Sequence, residues 1–405
     1  MKKLKPLFGV LVMLFSVKAL AQLPMEIHQY ILSNLDSVPE IKAQWTRVNA
    51  LYEQAKFSGG LPDPSISSNI FVKPIQTRVG PQQAAISATQ PIPFPGTLKS
   101  ARKAWELEAE ALKHYISWQR ATTYTRAAHT WLDYTYTIVE IQILSEHINL
   151  LKTLQRVIKE RIAGGSEKAY NYLRIQMQIE EYETMLEVAE AKVKSLQIAF
   201  NRILSLPDTT QVLLIDSLIL PVKPDSTIVL DSILSVSPLL LSTELKKQAN
   251  EARKRNARLS GLPSFKAGLS YFIIGNGGPD AIAPTLGIRI PLYRKKWKAL
   301  ENRYELAALA DSLSLENQVN FLTEQFTIRW WSLSKSIDQY FLYNELITLA
   351  KHTRQMLIAA YSGDEEDFVE ILRIDRDLLN YSLNKQKALT EIYKALVSIY
   401  ELTGK

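Results

Sequence analysis

The sequence predicts a mainly α-helical protein with a small β part, built from two arms of the same design. Three observations predict this fold class: an internal duplication, very long helical stretches, and short segments whose side chains alternate with a period of two. Landmarks recur in the same order in both halves, roughly 200 residues apart: Leu61-Pro62 and Leu262-Pro263, Ile92-Pro93 and Ile290-Pro291, and Gly165 and Gly363. A repeat of this length far exceeds a solenoid unit, so each half is predicted to be a complete structural arm.

Residues 1–21 predict a secretory signal peptide. The basic segment Lys2 to Lys5 precedes an apolar run from Leu7 to Val17, and Ala19-Leu20-Ala21 is typical of a cleavage site. We expect the mature chain to begin at Gln22. Because no later segment approaches 18 continuous apolar residues, we expect no transmembrane helix.

Composition excludes several kinds of site. The chain contains no cysteine, which excludes disulfides, thiolate metal sites, cysteine nucleophiles and lipidation of an N-terminal cysteine. The signal peptide contributes four lysines to the formal net charge of +7, and the remaining charges interleave along the chain. The sequence therefore has no basic stripe of the kind that binds nucleic acid.

Each arm opens with a helix and continues with two strands. The first helix is predicted over Glu40 to Phe57, and its counterpart over Pro238 to Leu259, each followed by glycine. Four segments then alternate with a period of two, the second of them weakly: Ser65–Lys73, Gln83–Gln90, Phe265–Ile273 and Ile282–Ile290. Their length suits tilted membrane-spanning strands, although each alternation alone is equally compatible with a small soluble sheet.

A long helical hairpin follows the strands in each arm. Thr97 to Ala163 contains neither proline nor glycine and predicts about 100 Å of helix. The other predicted stretches are Glu167–Ser205, Lys295–Tyr361 and Glu365–Leu402. Helices of this length without caps indicate coiled-coil packing. We therefore divide the chain into a first repeat (22–206), a connector (207–234) whose structure the sequence leaves open, and a second repeat (235–405).

Four strands cannot close a barrel around a lumen, because such barrels need about eight or more. Open edges would be unsatisfied in lipid, whereas three chains would supply twelve strands. The same three copies would bring their hairpins together as a trimeric α-barrel below a 12-stranded outer-membrane β-barrel. A group of residues is predicted to form the joint between strands and helices, where proline ends a ladder and sets the entry into a helix: Pro91, Pro93, Pro95, Gly96 and Pro291.

Several ordered stretches carry a family resemblance. They are Leu61-Pro62-Asp63-Pro64, Thr77–Gln82, Gln90–Lys99, Gly278–Ile282, Ile290–Ala299, Ala360–Gly363 and Leu402–Gly404. With the duplication, they resemble the TolC family of outer-membrane efflux channels, particularly its forms in Bacteroidetes-type bacteria. The resemblance implies a homotrimer in the outer membrane that extends into the periplasm. It further implies two partners, a periplasmic adaptor (a membrane fusion protein) and an inner-membrane pump of the RND type.

The resemblance also implies two functional regions. The turns at Gly164-Gly165 and Ser362-Gly363 correspond to periplasmic tips that dock the adaptor, although glycine also simply ends helices. The resemblance implies a pore aperture at Glu370 and Arg373, closed either by acids alone or by an arginine–carboxylate latch. Asp375 is added to it because it follows in the same charged stretch, where any inward residue of a three-fold assembly becomes a ring of three. The alternative for this segment is a solvated helix N-terminus where acids favour the dipole.

The predicted function is an exit duct of a tripartite efflux system, with no catalysis and no cofactor. The five histidines are dispersed without metal-ligand spacing, and no phosphate loop is present. Heavy-metal cations and drugs both remain open as substrates. The alternative is a periplasmic coiled-coil structural or adaptor protein without a membrane barrel.

Overall fold

The computed structural model describes residues 23–215, 218–362 and 368–404. Its helices are α1 (Met25–Leu35), α2 (Pro39–Gly59), α3 (Thr97–Ala163), α4 (Ala169–Ile203), α5 (Ser226–Val236), α6 (Pro238–Ser260), α7 (Arg294–Ser362) and α8 (Phe368–Glu401). Its strands are β1 (Ser65–Thr77), β2 (Gly80–Ile92), β3 (Ser264–Ile274) and β4 (Ala281–Arg289). The predicted signal peptide, Gly363 and the acidic residues before Phe368 lie outside the described residues.

The order of elements is the same in both halves: two helices, two strands and two long helices. The described chain divides into two compact units. The helical unit contains the described residues of 1–42, 117–237 and 320–405. The sheet unit contains residues 43–116 and 238–319.

One antiparallel sheet in the order β1-β2-β3-β4 forms the β part of the sheet unit. The central pairing joins the two halves of the sequence, with Ile86 opposite Tyr271. β1 extends beyond the predicted end at Lys73 because an irregularity between Ile70 and Ile75 lets the strand continue past Pro74. Within the described chain, β1 and β4 each have one edge without a strand partner.

The two faces of this sheet differ in chemistry. Paired residues share a face, so the register places one apolar set together: Ile66, Ile70, Ile86, Leu269, Tyr271, Ile282, Leu286 and Ile288. The opposite face carries mainly small and polar side chains: Ser65, Ser67, Asn69, Ser87, Thr89, Ser270 and Thr285. Leu286 is 86% exposed, whereas Ser270 on the polar face is 8% exposed. The apolar face is therefore the outer one.

The core of the helical unit is formed by α1, α3, α4 and α8. Ile27, Ile31 and Leu35 recur every four residues along α1 and pack against Trp131 and Phe200. This helix was not predicted from the sequence. The indole of Trp131 donates a hydrogen bond to the carbonyl of Leu213 (2.8 Å), which fixes the connector on α3.

The connector ends in the short helix α5. The Asp225 carboxylate caps it by accepting a hydrogen bond from the backbone N–H of Thr227 (2.9 Å). A second contact runs from the Tyr393 hydroxyl to the carbonyl of Ile219 (2.7 Å). The described residues of segment 207–234 thus end in a short helix and are anchored to α3 and α8.

One stretch, Ser226–Ser260, is long and apolar enough to pass a membrane-span test by length and composition alone. The backbone leaves the helical conformation at Ser237, which divides the stretch into α5 and α6. Of its apolar window, 39% is buried, and Ile233 is fully buried. Core helices pass the same test, so this single stretch is weak evidence for a membrane span.

Candidate functional site

The joint between β2 and α3 is built from the predicted proline cluster. Pro91 lies opposite Lys266, next to the last residue pair between β2 and β3. The chain then leaves the sheet through Pro93 and Pro95. Gly96 has φ of +91°, a left-handed conformation that favours glycine. Its carbonyl accepts the first helical hydrogen bond, from Ser100 N–H (2.9 Å). The sequence at this joint therefore turns a strand directly into a helix.

The second joint, between β4 and α7, contains Pro291 and borders a cavity of about 590 Å³. We call this space the joint cavity. Trp297 lies against Gly261, where an added Cβ would come within 3.0 Å of the Trp297 Cβ. Its indole Nε1 is buried and has no hydrogen-bond partner among the described residues, as is true of the Thr97 hydroxyl.

The first predicted tip, at Gly164-Gly165, forms a complete helix-ending motif. Ser166 N–H donates to the carbonyl of Arg161 (3.0 Å), and Gly165 N–H donates to that of Ile162 (3.0 Å). This pair of bonds defines a Schellman motif, in which the residue after the cap is left-handed. Gly165 has φ of +75°, and an added Cβ there would meet no atom within 4 Å. The tip is therefore an exposed turn, and a side chain at position 165 would be disfavoured by the left-handed backbone alone, since there is space for it.

This tip is tied to the end of α7 through Tyr361. The guanidinium of Arg161 lies 4.4 Å from the centre of the Tyr361 ring, and the Tyr361 hydroxyl donates to the Glu167 carboxylate. Burial raises the pKa of Glu167, but hydrogen bonds from Tyr361, Lys168 N–H and Asn171 outweigh it and leave this pKa lowered. Sequence reasoning missed this contact because its partners lie about 200 residues apart.

The second tip is only partly described. α7 ends at Ser362, and α8 begins at Phe368, whose ring lies 5.6 Å from that of Tyr361. The predicted docking residue Gly363 falls outside the described residues. The assignment of both tips to adaptor docking stays a prediction.

Glu370 and Arg373, which are predicted to line the aperture, lie together on one side of α8. Their charged groups approach to 3.7 Å, with side chains 47% and 67% exposed. Residues three apart in the sequence share a helix face, so this contact follows from their spacing. An ion pair this exposed contributes only about 0–1 kcal/mol, so these charges can exchange partners easily.

Asp375, the third predicted aperture residue, is 1% exposed. Its carboxylate accepts a hydrogen bond from Arg354 Nε on α7 (2.5 Å). Burial raises the pKa of Asp375, while Arg354 opposes that rise. In this conformation Asp375 faces the helix core, so lining an aperture would require this pair to separate.

The burial of Asp375 follows from its position along α8. The inward face of this helix is marked by apolar residues at helical spacings of three, four and seven: Phe368, Ile371, Leu372, Leu379 and Leu383. Asp375 continues that spacing, which was the sequence signal for burial. Nearby on α3, burial and then Arg354 lower the pKa of His147 to about 4, so this imidazole is neutral at pH 7.

Two of the other histidines lie within hydrogen-bond distance of hydroxyl groups. His28 Nδ1 lies 2.7 Å from the Tyr124 hydroxyl, and His129 Nε2 lies 3.0 Å from that of Ser398. Among the described residues, no group of three or more histidine, aspartate or glutamate side chains is arranged to hold a metal ion.

Comparison with known proteins identifies the fold. No protein-family model matches the sequence, and no curated protein matches it. Solved structures do match along nearly the whole chain. The transmembrane channel CusC superposes with a TM-score of 0.76 at 15% identity, covering 93% of this chain and 91% of its own. The outer membrane protein VceC of Vibrio cholerae gives 0.75 at 11% identity, with coverage of 94% and 96%.

A third structure, the open state of the outer membrane channel MtrE of Neisseria gonorrhoeae, gives 0.75 at 13% identity, with coverage of 93% and 88%. At these identities the likeness establishes the fold, which confirms the predicted combination of long helical hairpins and four strands per chain. The chain therefore has the fold of the TolC-type outer-membrane channels, as the resemblance of its sequence motifs implied.

Proposed function

We propose that this chain is the outer-membrane exit duct of a tripartite efflux system and works as a homotrimer. Its sheet lies in the outer membrane, and its long helices extend into the periplasm. The observation that carries this proposal is the exposed apolar face of the sheet. A water-filled barrel embedded in lipid requires an apolar face turned outward and a polar face turned inward.

The exposures along β4 support a lipid environment. Ile282, Leu286 and Ile288 are 65%, 86% and 62% exposed. A sheet in water buries such a face and turns the polar one to solvent. The free edges of β1 and β4 support association, because a spanning sheet must pair every edge. Three copies supply twelve strands and close the ring.

We assign the two predicted tips to docking of a periplasmic adaptor, which in turn engages an inner-membrane pump. The family resemblance implies a pump of the RND type. At the described tip, residues 163–166 are exposed on a defined turn. The Arg161–Tyr361–Glu167 contact couples that turn to the end of α7. Through this contact, a change in the tip on adaptor binding is transmitted to the end of α7, and from there to α8, whose Phe368 ring lies beside Tyr361.

The aperture is assigned to Glu370 and Arg373, whose weak ion pair suits a gate that must open. Single-channel conductance of the purified protein in planar bilayers tests both the duct and this gate. We expect discrete conductance from the wild type, and larger or more frequent openings from Glu370→Ala and Arg373→Ala. Glu187→Ala, which removes an exposed carboxylate from α4, is the control and should behave as wild type. Absence of any conductance would contradict the duct, and unchanged openings in both variants would contradict the gate.

The alternative, a periplasmic coiled-coil or adaptor protein without a barrel, explains the helices but not the sheet. Such a protein would leave the apolar side chains of β1 and β4 in water, where they promote aggregation. The neighbours in fold are channel proteins, which is consistent with a non-enzymatic role.

A further inference from the structure

The charged residues of the sheet all have the same sign. The four strands contain Lys73, Lys266 and Arg289 and no aspartate or glutamate. Lys73 lies in the irregular part of β1, where the register does not fix its face. Lys266 and Arg289 lie in regular pairings, and their placement can be read from the register.

Lys266 and Arg289 lie on the polar face of the sheet. Lys266 is paired with Gly287, and Arg289 with Ser264, both in the series that includes Ser270 and Thr285. The Lys266 side chain crosses the position of Gly287, where an added Cβ would lie 2.4 Å from its Cε. Glycine at 287 thus leaves room for the lysine stem to lie flat along this face. Neither cation forms an ion pair with any acid that the structure describes.

The joint cavity extends this positive region. Its lining includes Ser264, Arg289 and Lys296 together with aromatic side chains, and none of its described lining residues is acidic. The start of α7 adds further cations, Arg294, Lys295 and Lys298. Two acidic residues partly offset these cations. Glu301 pairs with Lys298 at 3.2 Å, and Asp63 precedes β1. The region is therefore strongly positive.

We propose that this end of the sheet is an anion-selective segment of the duct, formed by Lys266 and Arg289. The inference rests on the proposed function, which turns the polar face toward the lumen. Three-fold symmetry would then make each residue a ring of three, and rings of lysine and arginine attract anions and repel cations. Organic anions are accordingly the substrate class that this segment favours over metal cations.

Reversal potentials in planar bilayers under a KCl gradient test this segment. We expect the wild type to prefer chloride over potassium. Lys266→Gln/Arg289→Gln should lower the chloride-to-potassium permeability ratio by about threefold or more, because both rings lose their charge. The exchange Lys266→Arg/Arg289→Lys keeps every charge and should keep the ratio.

The outcomes separate this inference from the duct itself. A protein that conducts but prefers potassium, or whose ratio is unchanged in Lys266→Gln/Arg289→Gln, would overturn the anion-selective segment while leaving the duct intact. A correctly assembled trimer that conducts no ions would overturn both. Heat-resistant trimers of each variant on gels show that altered ratios do not come from misfolding.

Discussion

One ion pair in the helical unit holds a carboxylate in a buried position. Arg354 and Asp375 link α7 to α8 with side chains 22% and 2% exposed. One carboxylate oxygen of Asp375 has no partner among the described residues. Removing the arginine would leave a desolvated carboxylate without compensation, whereas replacing both groups by apolar side chains would remove the penalty along with the attraction.

We therefore expect Arg354→Met to lower the free energy of unfolding by about 3–5 kcal/mol. The double variant Arg354→Met/Asp375→Leu should recover most of that loss. Urea titration followed by helical circular dichroism, at fixed protein concentration in detergent, measures both values. Equal destabilisation by the single and double variants would contradict a buried pair at this position.

Gly165 and Gly164 offer a matched test of the docking tip. Valine at 165 must adopt a left-handed backbone, which costs about 1–2 kcal/mol and would rearrange the turn. At Gly164 an added Cβ would lie 3.6 Å from the nearest atom, the Arg161 carbonyl oxygen, which is an ordinary contact.

We expect Gly165→Val to abolish efflux while the trimer still assembles. Gly164→Ala should leave efflux intact, and Gly165→Asn should retain most of it because asparagine tolerates this conformation. Drug susceptibility of cells carrying each variant is the measurement. Wild-type resistance with Gly165→Val would argue against a role for this turn in docking.

At the scale of elements, local sequence signals were sufficient for most boundaries. The prediction for α3, Thr97 to Ala163, coincides with the observed helix because Gly164-Gly165 ends it and no breaker interrupts it. β3 and β4 were predicted within a residue or so, since alternation and flanking loops define them. α1 and α5 were not predicted, because short helices gain their stability from the core they pack on.

The contacts that define the candidate sites were harder to predict from the sequence than the helices and strands. Asp375 was assigned to the aperture from its charge, and its apolar neighbours at helical spacing were the overlooked signal. Tyr361 and Arg161 meet only because two hairpins lie side by side. Such tertiary pairs leave no local pattern in a single sequence.

The face chemistry of β4 gives the sharpest test of its surroundings. Leu286 is on the apolar face and Thr285 on the polar face, one residue apart. If the apolar face contacts lipid, Leu286→Arg should cost about 2–4 kcal/mol near the bilayer midplane. In water, the same substitution at an exposed site would change the free energy of unfolding by no more than about 0.5 kcal/mol.

We expect Leu286→Arg to reduce sharply the amount of folded protein in the outer membrane, and Thr285→Arg to leave most of it. Quantifying heat-modifiable protein in membrane fractions measures this difference. Equal yields of the two variants would indicate that both faces meet water.

At the scale of the whole molecule, the proposed channel depends on closure of the sheet by neighbouring copies. A chain with four strands, one outward apolar face and two free edges is incomplete by itself in a membrane. The long helices alone do not define how many copies associate. Strand number narrows the choice, because two chains would give eight strands, just enough for side chains to fill the interior, whereas three give twelve strands around a lumen, which is why we propose a trimer.

The most direct measurement is therefore the mass of the intact complex extracted from the outer membrane in mild detergent, determined by native mass spectrometry. We predict a complex of three identical chains, which separate on boiling. A monomer or dimer, or recovery of the protein only from the soluble periplasm, would contradict it.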